Sequence, residues 1–341
     1  MLDKILKFTG KGIYCPQADI YIDPWKAVDK AVITHGHSDH AHYGSKYYLA
    51  QMLTVPILKH RLGSKINVKG IEYNEPLDIN GVKISLHPAG HIIGSAQIRV
   101  EYKGEVAVVS GDYKLEDDGI STPFEPVKCN IFVSESTFGL PIYKWKTQKE
   151  ISDEINSWWR GNEKNGKASV LMGYVLGKSQ RLLFNLDASI GKIFVHGAVQ
   201  NINEIFIKAG VKLPDAEKVT SSNRNDYHGS MILTPSFVLG SPWLKRFEPY
   251  SIANASGWMA VRGVKRRMAI DRGFVVSDHA DWNGLNTAIK ETGAEKIYIT
   301  HGFTDVFVKW LREQGYDAHI LKTEFEGEIE EPPKNDLINE S

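Results

Sequence analysis

The stretch Thr34-His35-Gly36-His37-Ser38-Asp39-His40 places three imidazoles and a carboxylate within six residues, directly after the apolar run Ala31-Val32-Ile33. A strand that ends in a short loop delivers all four side chains to one point at the edge of a sheet. Neutral imidazole and carboxylate together suit zinc and similar borderline metals. His35 and His37 stand two apart and can face the same side, while Asp39 and His40 follow where the chain must bend. The loop therefore offers ligands to two neighbouring ions rather than one. A His-rich tag would be homogeneous and terminal, and this run is neither.

Three further strand ends repeat the pattern. His91 follows Pro88-Ala89-Gly90, Asp112 follows Ser110-Gly111, and His301 stands between Thr300 and Gly302. Each follows an apolar run and neighbours a glycine, which lets the backbone approach closely. Singly, such a residue is more often structural. Together they offer His35, His37 and His91 to one ion, and Asp39, His40 and His301 to another. Asp112 is then the natural bridge between ions ~3.5–4 Å apart.

With 341 residues and 42% hydrophobic content, the chain can bury a sizeable core and is expected to form two lobes. Forty-one basic residues balance forty-one acidic ones, so no global field recruits a polyanion and any nucleic-acid binding must come from local basic patches. Cys15 and Cys129 are too few for a disulfide framework, which fits a reducing cytoplasm. The start Met1-Leu2-Asp3-Lys4-Ile5 lacks the apolar core of a signal peptide. No apolar run approaches the ~18 residues of a membrane span, so no membrane partner is expected.

Along the chain, residues 19–23 read as a short strand ending on Asp23, and residues 51–62 carry apolar side chains at near-helical spacing. Asn80-Gly81 and Lys103-Gly104 mark hairpin turns between alternating runs, which suggests short, mostly antiparallel strands in this part. From about residue 140 strand and helix patterns alternate. Thr147-Gln148-Lys149-Glu150 is a capping box opening a helix, followed by strands at 168–175, 193–195 and 231–238 with helices at 178–186 and 204–208. This alternation predicts βαβ units and a parallel sheet. A strand at 274–276 then leads to Ser277-Asp278-His279-Ala280-Asp281-Trp282, and a helix is expected over 304–314. The acidic tail from residue 324, with Pro332-Pro333, is expected to fray.

His-x-His-x-Asp-His, a lone His, a bridging Asp and a late His together resemble the metallo-β-lactamase fold of binuclear hydrolases. Glu135, in Val133-Ser134-Glu135-Ser136-Thr137-Phe138-Gly139, resembles the acidic motif that precedes the β-CASP insertion, and His279 resembles the histidine just after it. A histidine at 301 is similar to the RNA-processing nucleases. Over the full length the chain most resembles bacterial exonucleases associated with DNA ligase, on the strength of Ser256-Gly257-Trp258-Met259, the run 266–273 and the stretch 277–282. Members of that group are also labelled mRNA 3′-end processing factors. The resemblance implies an α/β fold: an αββα metallo-β-lactamase sandwich from residues 1–142 and 263–325, a β-CASP insertion with a mainly parallel sheet over 143–262, and a tail at 326–341.

The resemblance further implies a nuclease, with DNA ends as the expected substrate, RNA processing as the alternative, and DNA ligase and helicase as expected partners. A non-nucleic-acid metallohydrolase leaves residues 140–263 unexplained, and an inactive binding subunit would have lost ligands that this chain keeps. Two divalent ions, zinc with manganese as the alternative, make water nucleophilic at neutral pH and clamp a phosphate. Asp39 and Asp112 serve the ions, and His279 is the expected general acid. Asp23 and Glu135 are expected to orient ligand imidazoles. Arg262, Lys265, Arg266, Arg267 and Arg272 form a basic patch, and Lys178 with Arg181 opens a helix; both groups are candidates for phosphate contacts.

Overall fold

The computed structural model describes residues 5–220, 224–261, 263, 266 and 268–323. They fall into two compact units, one from residues 5–144 and 278–323 and the other from 145–277. Among the described residues no helix is long and apolar enough to cross a membrane.

In the first unit, one sheet runs in chain order through β1 (Lys7–Thr9), β2 (Gly12–Cys15), β3 (Ile20–Ile22), β4 (Lys30–Val32), β5 (Tyr47–Gln51) and β6 (Val68–Ile71). The second comprises β7 (Leu77–Ile79), β8 (Val82–Pro88), β9 (Ala96–Tyr102), β10 (Glu105–Val109), β11 (Ile131–Ser136), β18 (Lys296–Gly302) and β19 (Asp317–Ile320). Its order is β19-β18-β11-β10-β9-β8-β7. Both expected two-residue turns are present, with Asn80, Gly81, Lys103 and Gly104 all at positive φ as their hairpins require.

The expectation of mostly antiparallel pairing holds only around those hairpins. β3 to β6 pair in parallel, as do β10, β11, β18 and β19. Parallel neighbours need long crossovers, so no tight turn announces them in the sequence.

Apolar side chains of the two sheets share one core, with Ile22, Val32 and Leu49 from the first and Ile84, Ile98, Val109 and Val133 from the second. The alternate residues of the second sheet, among them Val108, Phe132 and Ile297, pack on α5 (Trp282–Thr292) and α6 (Thr304–Glu313) through Leu285, Ile289, Phe307 and Leu311. On the first sheet, Ala31 and Ala50 cluster with Leu58 and Leu62 of α1 (Thr54–Leu62). The period-two alternation of each strand thus serves two different layers.

The second unit is built on β12 (Ala168–Met172), β13 (Ile193–Val195), β14 (Glu217–Lys218), β15 (Met231–Thr234), β16 (Tyr250–Ala255) and β17 (Arg272–Phe274), all pairs parallel, in the order β14-β13-β15-β12-β16-β17. The expected parallel sheet is there. The strand expected over 231–238 stops at Thr234, because Pro235 cannot donate to the ladder and the chain turns into a 3₁₀ segment. β16 went unread in the sequence, since Ser251, Ala253 and Asn254 weaken its pattern. β17 pairs with β16, which keeps the chain beyond residue 263 in this unit as far as Ser277.

Thr147 and Glu150 close their capping box at the start of α2 (Gln148–Lys164). The apolar face of α2, Ile151, Ile155 and Trp159, packs on Leu171 and Leu233 of the sheet. α3 (Lys178–Phe184) contributes Leu182 and Leu183 to the same cluster, and α4 (Gly197–Lys208) contributes Val199. Trp159 is fully buried, and its indole N–H donates to the Gly229 carbonyl at 2.9 Å. Trp159→Ala should therefore cost about 3–5 kcal/mol, seen as a lowered denaturant midpoint. A loss well under 1 kcal/mol would show that α2 is not anchored through this side chain.

Candidate metal centre

Each candidate ligand lies at or just beyond the end of a strand of the first unit. The loop after β4 supplies His35, His37, Asp39 and His40, while His91 follows β8, Asp112 follows β10, and His301 is the penultimate residue of β18. Close approach of these ends depends on glycine. A Cβ on Gly111, at φ +57°, would lie 2.6 Å from the Thr34 hydroxyl, and one on Gly302, at φ +75°, would lie 2.3 Å from the Ser136 carbonyl oxygen.

The ends converge. His35, His37, His91 and Asp112 offer ligand atoms that all lie within 4.8 Å of one another, and so do His40, Asp112 and His301, and His35, Asp39 and His40. One oxygen of Asp112 is 3.6 Å from His35 Nε2, 3.4 Å from His40 Nε2 and 3.9 Å from His91 Nε2. A single carboxylate is thus common to both expected ligand sets. Asp39 lies 3.7 Å from His40 Nε2.

The donor set fits divalent cations. His35 Nε2, His40 Nε2 and one Asp112 oxygen are buried without a hydrogen-bond partner among the described residues, an arrangement that costs free energy unless something else engages them. Burial, reinforced by His40, His91 and His37, pushes the His35 pKa well below its ordinary value and keeps the ring in its ligating neutral form. Burial would raise the Asp112 pKa, but His40 and His279 outweigh it and hold the carboxyl well below the usual range. Burial likewise opposes charge on His40, yet Asp112, Asp39 and Asp23 drive its pKa well above that of a free imidazole. The acidic side of the centre thus draws positive charge despite its burial.

Outer contacts orient the rings. Asp23, in the left-handed region at φ 42°, reaches His40 Nδ1 at 2.7 Å and accepts the Thr34 backbone N–H at 2.8 Å. His91 Nδ1 lies 2.8 Å from the Asp278 carbonyl oxygen. In both cases Nε2 is left for the centre. Glu135 differs from expectation. It holds His279 rather than a ligand ring, its two oxygens lying 3.0 and 2.9 Å from His279 Nδ1. The same carboxylate accepts the Tyr113 backbone N–H, and the His279 ring is 4.7 Å from that of His91.

Asp281, which flanks His279, caps α5 by accepting the Gly284 N–H at 2.7 Å. Sequence reasoning missed Arg61, whose guanidinium donates to the Gly36 carbonyl between His35 and His37. The only signal for it was a helix beginning soon after the loop. A cleft lies beside this side of the centre, lined by Asp23, Trp25, Asp39, His40, Glu135 and His301 among others.

The basic residues are less well placed for a solvated grip. Arg266 is exposed, while Arg262, Lys265 and Arg267 lie outside the described residues. Lys178 and Arg181, expected to meet phosphates, are buried, and Arg181 donates to Gln148 and to the Ser277 carbonyl. Arg272 lies over the ring of Phe274 at 4.8 Å.

Two measurements check this centre. Asp112→Ala should abolish most divalent-metal binding, read by elemental analysis of the purified protein; full occupancy would show that Asp112 is not a ligand. Asp23→Asn should weaken metal affinity by roughly 10–100-fold through loss of ring orientation, read by chelator competition. Unchanged affinity would make the Asp23–His40 contact purely structural.

No protein-family profile matches the chain. It is 26% identical over 318 residues, 93% of its length, to a probable DNA ligase of Opitutus terrae, and spans 31% of that protein. Over 124 residues it is 30% identical to cleavage and polyadenylation specificity factor subunit 3 of Dictyostelium discoideum, which is 35% of this chain and 16% of that one. The endoribonuclease YSH1 of Saccharomyces cerevisiae is 27% identical over 122 residues, again 35% of this chain and 15% of the relative. The chain thus spans less than a third of each relative's length. A solved protein of unknown function from Enterococcus faecalis superposes with a TM-score of 0.58 at 11% identity, covering 86% of this chain and 79% of that one, a likeness of fold. These similarities, to a protein named a probable DNA ligase and to proteins named for polyadenylation and endoribonuclease activity, agree with the resemblance to β-CASP nucleases that the sequence motifs carry.

Proposed function

We propose that the protein is a binuclear metal-dependent phosphodiesterase that removes nucleotides from DNA ends. The observation that carries this reading is Asp112, a buried carboxylate within 4 Å of imidazoles from both expected ligand sets. The two-sheet core with helices on the outer faces supports a metallo-β-lactamase sandwich, and the parallel-sheet unit supports a β-CASP insertion. His35, His37 and His91 would hold one ion, Asp39, His40 and His301 the other, with Asp112 between them. When bound, two divalent ions, zinc or manganese, supply Lewis-acid polarisation of the phosphate and lower the pKa of water.

The chain's own residues supply the rest. Asp23 keeps the His40 ring turned toward the centre. Hydrolysis joins a water oxygen to phosphorus and breaks the bond to the leaving oxygen, which needs a proton. His279 gives that proton from Nε2, while Glu135 holds the ring through Nδ1 and stabilises its charged form. Arg266 grips backbone phosphates together with its basic neighbours in sequence, so binding should weaken with salt.

DNA is favoured over RNA because the similarity to the protein named a DNA ligase extends over 93% of this chain. The alternative, an RNA-processing nuclease, is supported by the relatives named for polyadenylation and endoribonuclease activity, over 35% of the chain. A cytoplasmic site of action beside a ligase or helicase fits the first reading.

End-labelled DNA and RNA of one sequence, cut under identical metal and salt, test the choice. DNA should be shortened stepwise from an end. Much faster cleavage of RNA overturns the substrate assignment, and cutting of closed circular DNA overturns the exonuclease mode. His279→Ala should keep its metals yet lose turnover by roughly 10²–10⁴-fold, the range for a removed general acid. Loss of metal in step with activity would make His279 a ligand instead.

A further inference from the structure

The cleft beside Asp39, His40 and His301 has one wall made of residues with no part in holding metal. Trp25 borders it, and Ile13 and Val109 are among its other lining residues. Trp25 stands two residues after Asp23, the carboxylate that orients His40.

The indole is fixed from behind. Its ring N–H donates to the Gly10 carbonyl at 3.1 Å, and its backbone N–H donates to the Lys11 carbonyl at 3.1 Å. Both acceptors belong to the turn between β1 and β2. Gly12 packs so tightly there that a Cβ on it would lie 2.9 Å from the Pro24 Cα. The polar edge of the ring is therefore satisfied, and the ring remains partly exposed. A role limited to clamping the turn accounts for the anchored edge. It does not account for a partly exposed indole bordering a space beside candidate ligands.

The chemistry that fits such a surface is a nucleobase. Every base has a π face, so stacking on an aromatic ring is strong and tolerant of sequence. A ring already held in place gives up little rotamer entropy when a ligand arrives.

We infer that Trp25 stacks on the base of the nucleotide adjoining the scissile phosphate. The inference rests on the nuclease reading given above. It predicts an enzyme that distinguishes a base from no base, but not one base from another.

The test uses the full-length, metal-loaded protein and oligonucleotides that differ only in one terminal nucleotide, adenine-bearing or abasic, placed at either end. The wild type should remove the base-bearing nucleotide with a kcat/KM higher by roughly 5- to 150-fold, the span of one base–aromatic stack. In Trp25→Ala that ratio should fall close to one, with the metal content unchanged. Trp25→Phe, which keeps a ring but loses the N–H, should retain much of the ratio. A wild-type ratio near one, or a ratio that survives in Trp25→Ala, overturns the stacking. As a second readout, deoxyadenosine monophosphate should quench the tryptophan fluorescence of metal-free wild type more than that of Trp25→Phe. The chain has eight tryptophans, so this difference isolates Trp25. Equal quenching in the two proteins also overturns the proposal. If the wild type cuts neither oligonucleotide, the nuclease reading fails, and the titration still decides whether Trp25 meets a base.

Discussion

The centre depends on one unfavourable juxtaposition. Buried imidazoles and buried carboxylates have been brought together where water is scarce, with Asp112 as the group they share. Taking a carboxylate out of water is costly unless it is paired and hydrogen-bonded, and of the imidazoles around Asp112 His35 is held neutral while His40 is drawn toward its charged form. The protein meets that cost from outside the cluster. Two compact sheets hold the strand ends rigidly, and glycines 111 and 302 remove the Cβ atoms that would keep those ends apart.

The orientation of several rings follows the same logic, because the contacts behind them face one way. Asp23 and the Asp278 carbonyl engage the far nitrogens of His40 and His91, which leaves the near nitrogens for the centre. Glu135 does the same for His279. Loops alone would not hold three rings in these orientations. The carboxylate partners start from strand residues or directly follow them, so their positions are fixed by the hydrogen-bond ladders of the sheets.

Much of the centre was legible in the sequence because its residues are chemically uncommon and sit at strand ends. His35, His37, His40, His91, Asp112 and His301 each follow or close an apolar run, and the structure brings them together. The partner of Glu135 was not legible, since nothing in local spacing links residue 135 to residue 279. Arg61 was invisible for the same reason, as its contact with the Gly36 carbonyl arises only when distant segments meet. For the fold, hairpins with Asn-Gly and Lys-Gly turns were readable, whereas parallel pairings left no local mark. Lys178 shows the converse error: a lysine at a helix start reads as a surface charge, and here it is buried.

The order of the ligands along the chain has a consequence for biogenesis. The first four lie within residues 35–40, and the last, His301, follows the entire second unit. Chains emerge from the ribosome N-terminus first, and their domains fold roughly in that order. A nascent chain therefore carries His35, His37, His91 and Asp112 long before it has His279 or His301. The second candidate ligand set is thus completed only after the whole second unit has been made.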